Sequence, residues 1–266
     1  MNINVCLAGA TGWAGSALAQ GIYSAPDLEL VSAVSRSHAG KPLGSVIGQA
    51  DNTTLLSATV AEALLTRPEV FIEYTKPDVA KANILLALQQ GCHVLVGTSG
   101  LREDDYQEID EVAQAVGKGV LACGNFSLTA VLFQKFSEMA AKHIPHWEII
   151  DYASSTKIDS PSGTARELAY RLSKIRESQL DVPHDQSQGP EGIRGARLNG
   201  TQVHAVRLPG YVLSLDAIFG MPDQKLVIRH EAGTSALPYV DGALLGIRKV
   251  TSLVGLHRGL SSVMDL

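Results

Sequence analysis

Residues 5–15 read Val-Cys-Leu-Ala-Gly-Ala-Thr-Gly-Trp-Ala-Gly: an apolar run enters Gly9-x-x-Gly12-x-x-Gly15 and continues into a helical pattern. A turn this tight favours residues without Cβ, because the backbone must come close to whatever it holds. A helix starting there offers unpaired N–H groups and the positive end of its dipole to a pyrophosphate. The glycine spacing alone also fits an ordinary strand-to-helix turn. With a strand before it, a helix after it and a βαβ unit around it, the pattern predicts a dinucleotide-binding loop built from Gly9, Ala10, Thr11, Gly12, Trp13, Ala14 and Gly15.

Outward from this loop, the first half alternates strand-like apolar runs with helical stretches. Strands are predicted over 3–8, 28–34, 70–74, 93–96 and 119–122, with helices over 14–22, 79–89 and 104–116 between them. That alternation predicts an α/β fold with an N-terminal Rossmann-type, doubly wound parallel sheet over residues 1–125. Past Phe126 the pattern changes to a helix over 128–141, a strand over 147–152, a helix from Thr164 and strands over 202–208, 211–219 and 225–230. These predict a smaller α+β domain with a mixed sheet over 126–238. The polar stretch 177–199 reads as a long loop. Apolar residues at helical spacing from Tyr239 predict a C-terminal helical segment, 239–266, packed back on the first domain.

The 266 residues are 45% apolar and 18% charged, with a formal net charge of -5. That composition is ordinary for a globular protein and provides no broad basic field for nucleic acid or an anionic membrane. No apolar run approaches the roughly 20 residues of a membrane span, and no secretory leader pattern is present, so a cytoplasmic location is expected. Cys6, Cys92 and Cys123, widely spaced and each beside an apolar run, read as buried thiols. His143 and His146 are separated by Pro145 and lack a Cys or carboxylate at ligand spacing, so no metal site is expected.

About twenty residues past a glycine loop of this kind, an NAD-preferring site carries Asp or Glu for the ribose 2′-hydroxyl. This chain has Ser35-Arg36 there, a hydroxyl and a guanidinium suited to a 2′-phosphate. NADPH is therefore the expected cofactor, with NADH the alternative. Ligands of doubly wound sheets bind beyond the carboxyl ends of the strands. Tyr74 and Thr75, then Gly97, Thr98 and Ser99, then Asn125 and Phe126 fall at such ends and complete the candidate cofactor set. The same residue types also suit plain turns and helix caps.

The segment Lys157-Ile158-Asp159-Ser160-Pro161-Ser162-Gly163-Thr164-Ala165 runs from a strand exit into a helix. Thr164-x-x-Glu167 matches a capping box, which by itself implies only a helix start. Gly163 permits close backbone approach, helix-start N–H groups are free to bind, and Lys157 lies just upstream. Together they suit a substrate carboxylate.

With these residues in place, the chain resembles the 4-hydroxy-tetrahydrodipicolinate reductase family of lysine and diaminopimelate biosynthesis along nearly its whole length. The glycine loop, KIDSPSGTA at 157–165, GTSGL at 97–101, GNFSL at 124–128, VHAVRLPG at 203–210, IFG at 218–220 and KLVIRHEA at 225–232 carry the likeness. The resemblance implies two domains, NAD(P)H use, a homotetramer joined through the substrate-domain sheets, and reduction of a cyclic unsaturated imine dicarboxylate. It also implies that Lys157 is the catalytic lysine, and that Ser154, Ser162, Gly163 and Thr164 join it in binding the small-molecule carboxylate substrate.

The family places a His-His pair shortly before that lysine, the first His acting as the acid and the second as a substrate contact; here Ala153 and Ser154 stand in its place. Alanine cannot transfer a proton, and serine is a poor acid near neutrality. Lys157 can still stabilise developing charge and is preferred over Tyr152 or water as the proton source. Three other functions fit the same residues. One is a diverged paralogue reducing a different carboxylated imine, enamine or conjugated acid, and another is a catalytically silent nucleotide-binding or assembly protein. The third is a semialdehyde dehydrogenase with Cys123 as nucleophile, for which no paired His is evident. Arg229 and His230 read as core or interface groups.

Overall fold

The structure is a computed structural model describing residues 2–190 and 192–265. Met1, Leu266 and Glu191, the last within the polar stretch 177–199, lie outside the described residues. The chain divides into two compact units, residues 1–128 with 236–266, and residues 129–235.

The first unit carries seven strands: β1 (Ile3–Ala8), β2 (Leu28–Val34), β3 (Leu56–Ser57), β4 (Val70–Glu73), β5 (His93–Val96), β6 (Gly119–Ala122) and β12 (Gly255–Arg258). They pair in the order β12-β6-β5-β4-β1-β2-β3, every pair parallel. Helices α1 (Trp13–Ser24), α2 (Leu43–Ile47), α3 (Val60–Leu64), α4 (Pro77–Gln89), α5 (Glu103–Ala115) and α8 (Val240–Val250) complete it. β4, β5 and β6 are buried at every position, as strands covered on both faces must be, which is why they read as apolar runs rather than alternations. Phe71, Ile84, Leu88 and Val94 form part of the core between the sheet and its helices. This is the Rossmann-type sheet expected from the sequence.

The expected helical segment over 239–266 is corrected by the structure. It is helical only to Val250, and Gly255–Arg258 then extends the sheet beside β6 as β12. Gly-Leu-His-Arg shows no strand alternation of its own; the backbone groups of β6 supply its pairing. The five-residue helices α2 and α3 and the two-residue β3 are also absent from the sequence reading, being shorter than any period can show.

The second unit contains α6 (Leu128–His143, beginning at the boundary), β7 (His146–Ala153), α7 (Gly163–Ser173), β8 (Ala196–Leu198), β9 (Thr201–Arg207), β10 (Leu213–Met221) and β11 (Gln224–Ala232). Its mixed sheet has the order β11-β10-β7-β9-β8, with β7 antiparallel to β10 and parallel to β9. Along β7, Trp147, Ile149, Asp151 and Ala153 are buried while their neighbours are half-buried, so one face of the sheet meets the helices. Phe133, Trp147, Ile149, Leu168, Leu172, Leu215 and Phe219 build that core. The Trp147 indole N–H is satisfied by the Thr201 hydroxyl at 3.0 Å. Within 177–199, read from sequence as a loop, residues 196–198 form β8, stabilised by antiparallel pairing with β9. No helix among the described residues is long and apolar enough to cross a membrane.

Candidate functional site

The strand order of the first sheet reverses direction between β1 and β4. A cleft of about 910 Å³ opens beyond the carboxyl ends there. Gly9 takes φ +81°, and a Cβ on it would enter the Tyr74 carbonyl, while a Cβ on Gly15 would enter the carbonyl of Gly9 itself. The turn can therefore lie against the exit of β4 only because these two positions are glycine. Gly12 is the N-cap of α1 and has no side chain to bind the first-turn N–H groups, which remain available to an anion.

Gly9, Thr11, Gly12, Ser35, Arg36, Tyr74 and Thr75 line this cleft, so the three sequence-predicted segments converge there. Thr11 Oγ1 lies 2.8 Å from Ser35 Oγ, joining the glycine loop to the end of β2. Arg36 is exposed and has no acidic partner among the described residues. Ala10 and Gly15 are buried behind the loop, and Trp13 projects outward, edge-on to Tyr239 at 5.8 Å. Sequence reasoning missed Thr59, Lys76 and Asn83, which reach the cleft from α3 and α4. The Lys76-Pro77 helix start directly after β4 was the available signal for Lys76.

Glu73, buried at the end of β4, places the next two segments. Burial pushes its carboxyl pKa up, while hydrogen-bond donors from Thr75, Asn83 and Thr98 oppose the shift. Its carboxylate accepts from Thr75 N–H at 2.8 Å, from Asn83 Nδ2 at 2.9 Å, and from the Thr75 hydroxyl. Its carbonyl accepts the N–H groups of Gly97 and Thr98 at 2.9 and 3.2 Å. The Tyr74 ring lies over Gly97, where a Cβ would strike it, and packs against Phe126 at 6.0 Å. Gly97, Thr98, Ser99, Asn125 and Phe126 do not line the cleft; Phe126 is core, and Asn125 Oδ1 accepts Ser127 N–H at 2.8 Å.

In the second unit, β7 ends at Ala153, and Ser154–Lys157 form a turn closed by Lys157 N–H on the Ser154 carbonyl at 3.0 Å. Ser154 Oγ stays within this turn, 3.0 Å from Thr156 Oγ1. Lys157 Nζ lies 2.8 Å from Asp159 Oδ1 and holds that carboxyl below the usual range. α7 begins at Gly163 with Ser162 as its cap, whose Oγ accepts Ala165 N–H at 3.2 Å. The capping box read on Thr164 and Glu167 does not form, since both lie inside the helix and Glu167 pairs with Arg171 instead. The N–H groups of Gly163 and Thr164 have no partner among the described residues, at an open surface.

A buried ion pair fastens this loop from below. Asp151, 0% exposed, accepts Ser162 N–H and Arg207 Nη2 on Oδ2, both at 2.7 Å. Arg207 also donates to the carbonyls of Asp151 at 3.1 Å and Asp159 at 2.9 Å. Both ends of the 159–162 segment are thus tied to one pair. Sequence reasoning found neither partner, because they lie 56 residues apart and meet only through the pairing of β7 with β9.

Two sequence candidates are corrected. Tyr152 points to the face of β7 opposite Ala153, and its hydroxyl donates to Asp216 Oδ2 at 3.2 Å. Burial and Asp216 raise its pKa, and its hydroxyl is committed to Asp216 rather than turned toward Ala153. Cys123 is buried, and burial drives its thiol pKa far up, which removes the thiolate a nucleophile needs. Arg229 is bound to Asp216 at 2.5 and 2.6 Å, and His230 Nε2 lies 3.1 Å from Thr129 Oγ1, both within the second unit's framework.

Comparison with known proteins agrees along the whole chain. The family described as Dihydrodipicolinate reductase, N-terminus, matches residues 3–126, and Dihydrodipicolinate reductase, C-terminus, matches 129–266. The chain is 34% identical to the 4-hydroxy-tetrahydrodipicolinate reductase of Bacillus pumilus (strain SAFR-032), covering 99% of this chain and 98% of that one. It is 36% identical to the enzyme of that name from Moorella thermoacetica over the same shares. The solved structure of dipicolinate-bound dihydrodipicolinate reductase from Paenisporosarcina sp. TG-14 superimposes with a TM-score of 0.88 at 27% identity, covering 99% of this chain and 100% of that one. An amine dehydrogenase from Mycobacterium smegmatis shares the fold alone, at TM-score 0.67 and 12% identity, covering 97% of this chain and 95% of that one.

Removing one partner of the buried pair tests the fastening. Asp151→Ala leaves Arg207 largely buried without its carboxylate and should lower stability by about 3–5 kcal/mol in denaturant unfolding. A loss under about 1 kcal/mol, the range of an exposed pair, would show that the two residues fasten nothing.

Proposed function

The chain belongs to the dihydrodipicolinate reductase family, and from that premise we propose that it reduces 4-hydroxy-tetrahydrodipicolinate, or the cyclic unsaturated imine dicarboxylate formed from it, in lysine and diaminopimelate biosynthesis. The observation that carries this reading is the anchored 157–164 loop, which carries the Lys157 ammonium, paired with Asp159, and ends at the open N–H groups of a helix start.

The glycine cradle fits a dinucleotide pyrophosphate, since Gly9 and Gly15 leave no room for side chains and α1 begins uncapped. We assign NADPH as the preferred cofactor. Arg36 and Lys76, neither with an acidic partner among the described residues, share the cleft with the hydroxyls of Ser35, Ser37 and Thr59, and no carboxylate stands at the end of β2. That set suits a 2′-phosphate. Bound NADPH supplies the hydride.

The chain's own residues do the rest. The N–H groups of Gly163 and Thr164, at the positive end of α7, receive a substrate carboxylate, and Ser162 keeps that helix start in place through its cap. Lys157 neutralises the charge that develops as hydride arrives and donates the proton that completes reduction. Asp159 holds the ammonium in place through their 2.8 Å ion pair, which matters because Ala153 has no proton to give and the Ser154 hydroxyl is engaged with Thr156. The Ala153-Ser154 replacement favours one second reading: a paralogue whose substrate is another carboxylated imine or conjugated acid. The family resemblance also carries a homotetramer joined through the five-stranded sheets, on a face where Ile218 pairs with the exposed Val227.

Two variants test the assignments, with turnover followed on freshly generated substrate as loss of the reduced-nicotinamide absorbance band at about 340 nm. Lys157→Ala should lower kcat by about 10²- to 10⁴-fold while NADPH binding, read by fluorescence, is unchanged. Unaltered kcat would remove Lys157 from the chemistry. Arg36→Ala should raise the KM for NADPH by about tenfold and leave that for NADH alone, the pattern of one lost charged hydrogen bond. An equal effect on both nucleotides would remove the 2′-phosphate assignment.

A further inference from the structure

Arg166 stands on the first turn of α7, where its charge opposes the helix dipole. A cation at the positive end of a helix is unfavourable, and acidic residues are the usual occupants of a first turn. Side chains on a helix lean toward its N-terminus, and residues three apart share a face, so Arg166 folds back over Gly163. Its Nη2 would lie 3.9 Å from a Cβ built on Gly163. Nη1 donates to the Pro161 carbonyl at 2.5 Å, which fixes the guanidinium beside the loop.

Asp159 lies between two cations. Its Oδ1 is 2.8 Å from Lys157 Nζ, and its Oδ2 is 3.9 Å from Arg166 Nη2. The side chains are open to ligand, 35% exposed for Lys157, 36% for Asp159 and 51% for Arg166. Two positive groups and one negative group therefore lie on the segment that leads into the Gly163 and Thr164 N–H groups and on the turn that follows them, leaving a net positive charge in addition to the helix dipole. One carboxylate is met by those N–H groups and Lys157. A second carboxylate on the same small ring needs a second cation, and Arg166 is the guanidinium that the loop holds in reach.

We propose that Arg166 is a specificity-determining residue that binds the second carboxylate and so selects dicarboxylates over monocarboxylates at this site. The proposal rests on the reductase reading of the 157–164 loop. A planar guanidinium can take a carboxylate through two parallel N–H bonds, which gives this position geometric selectivity as well as charge. The Pro161 contact uses one end of the fork and leaves the Nη2 side turned toward Asp159 and the loop.

The test compares two planar ligands, pyridine-2,6-dicarboxylate and pyridine-2-carboxylate, binding by calorimetry to the NADPH-loaded wild-type protein and to Arg166→Gln and Arg166→Lys. Arg166→Gln should weaken the dicarboxylate by about tenfold, or about 1.4 kcal/mol, and the monocarboxylate by less than about twofold. Arg166→Lys, which restores the charge without the fork, should recover part of the loss for the dicarboxylate alone. If Arg166 merely braced the loop through Pro161, both ligands would weaken together, and that result overturns the proposal; so does an unchanged dicarboxylate affinity. Wild-type protein that binds neither ligand would overturn the reading of the site itself, and the proposal with it.

Discussion

The nucleotide half of this protein depends on a backbone-to-backbone contact that tolerates no side chain. Gly9 lies against the carbonyl of Tyr74, and Gly15 against the carbonyl of Gly9, so strand exit, turn and first helix close on each other at carbonyl distance. That closure sets where α1 begins and aims its unpaired N–H groups into the cleft between the ends of β1 and β4. Glu73 extends the order sideways, gathering Thr75, Asn83 and Thr98 around a single buried carboxylate. A buried carboxylate is costly unless donors surround it, and here the donors are the residues whose positions it determines.

The second unit solves a similar problem with charge. The loop carrying Lys157 and Asp159 would be a free excursion between β7 and α7 were it not bound to the Asp151–Arg207 pair at Ser162 and at the Asp159 carbonyl. The half-buried Lys157 and Asp159 and the exposed Arg166 form a chain of ion pairs along the loop and into the first turn of the helix. At the strand end where the family resemblance would place a histidine pair, Ala153 is buried and Ser154 closes a turn beside this platform. In the proposed function, binding and charge stabilisation accordingly reside in one loop and proton supply falls to Lys157.

What the sequence made legible follows from physical range. The parallel strands and the glycine turn could be read because burial on both faces, and the demand for residues without Cβ, act over a few neighbouring positions. The convergence of Thr11, Ser35 and Thr75 on one cleft followed from the rule that ligands sit at strand carboxyl ends. β12 and β8 were invisible because each is made a strand by its neighbour rather than by its own pattern. Thr164 and Glu167 had the spacing of a capping box, yet Ser162 two residues earlier already satisfied the helix start. Asp151 and Arg207 could not be paired from sequence, since only the register of β7 with β9 brings them together. Arg166 was passed over because its position in a first turn gained meaning only once its guanidinium was placed beside Pro161 and Asp159.

The central claim is that this loop still directs hydride from the nucleotide onto a cyclic dicarboxylate although Ala153 and Ser154 replace the acid pair. The most direct measurement supplies NADPH deuterated at the transferring position of the nicotinamide and follows the product of 4-hydroxy-tetrahydrodipicolinate by mass spectrometry. The account predicts one deuterium in the reduced ring at wild-type turnover. Product without label, or no reduced product from protein shown to bind NADPH, would contradict it.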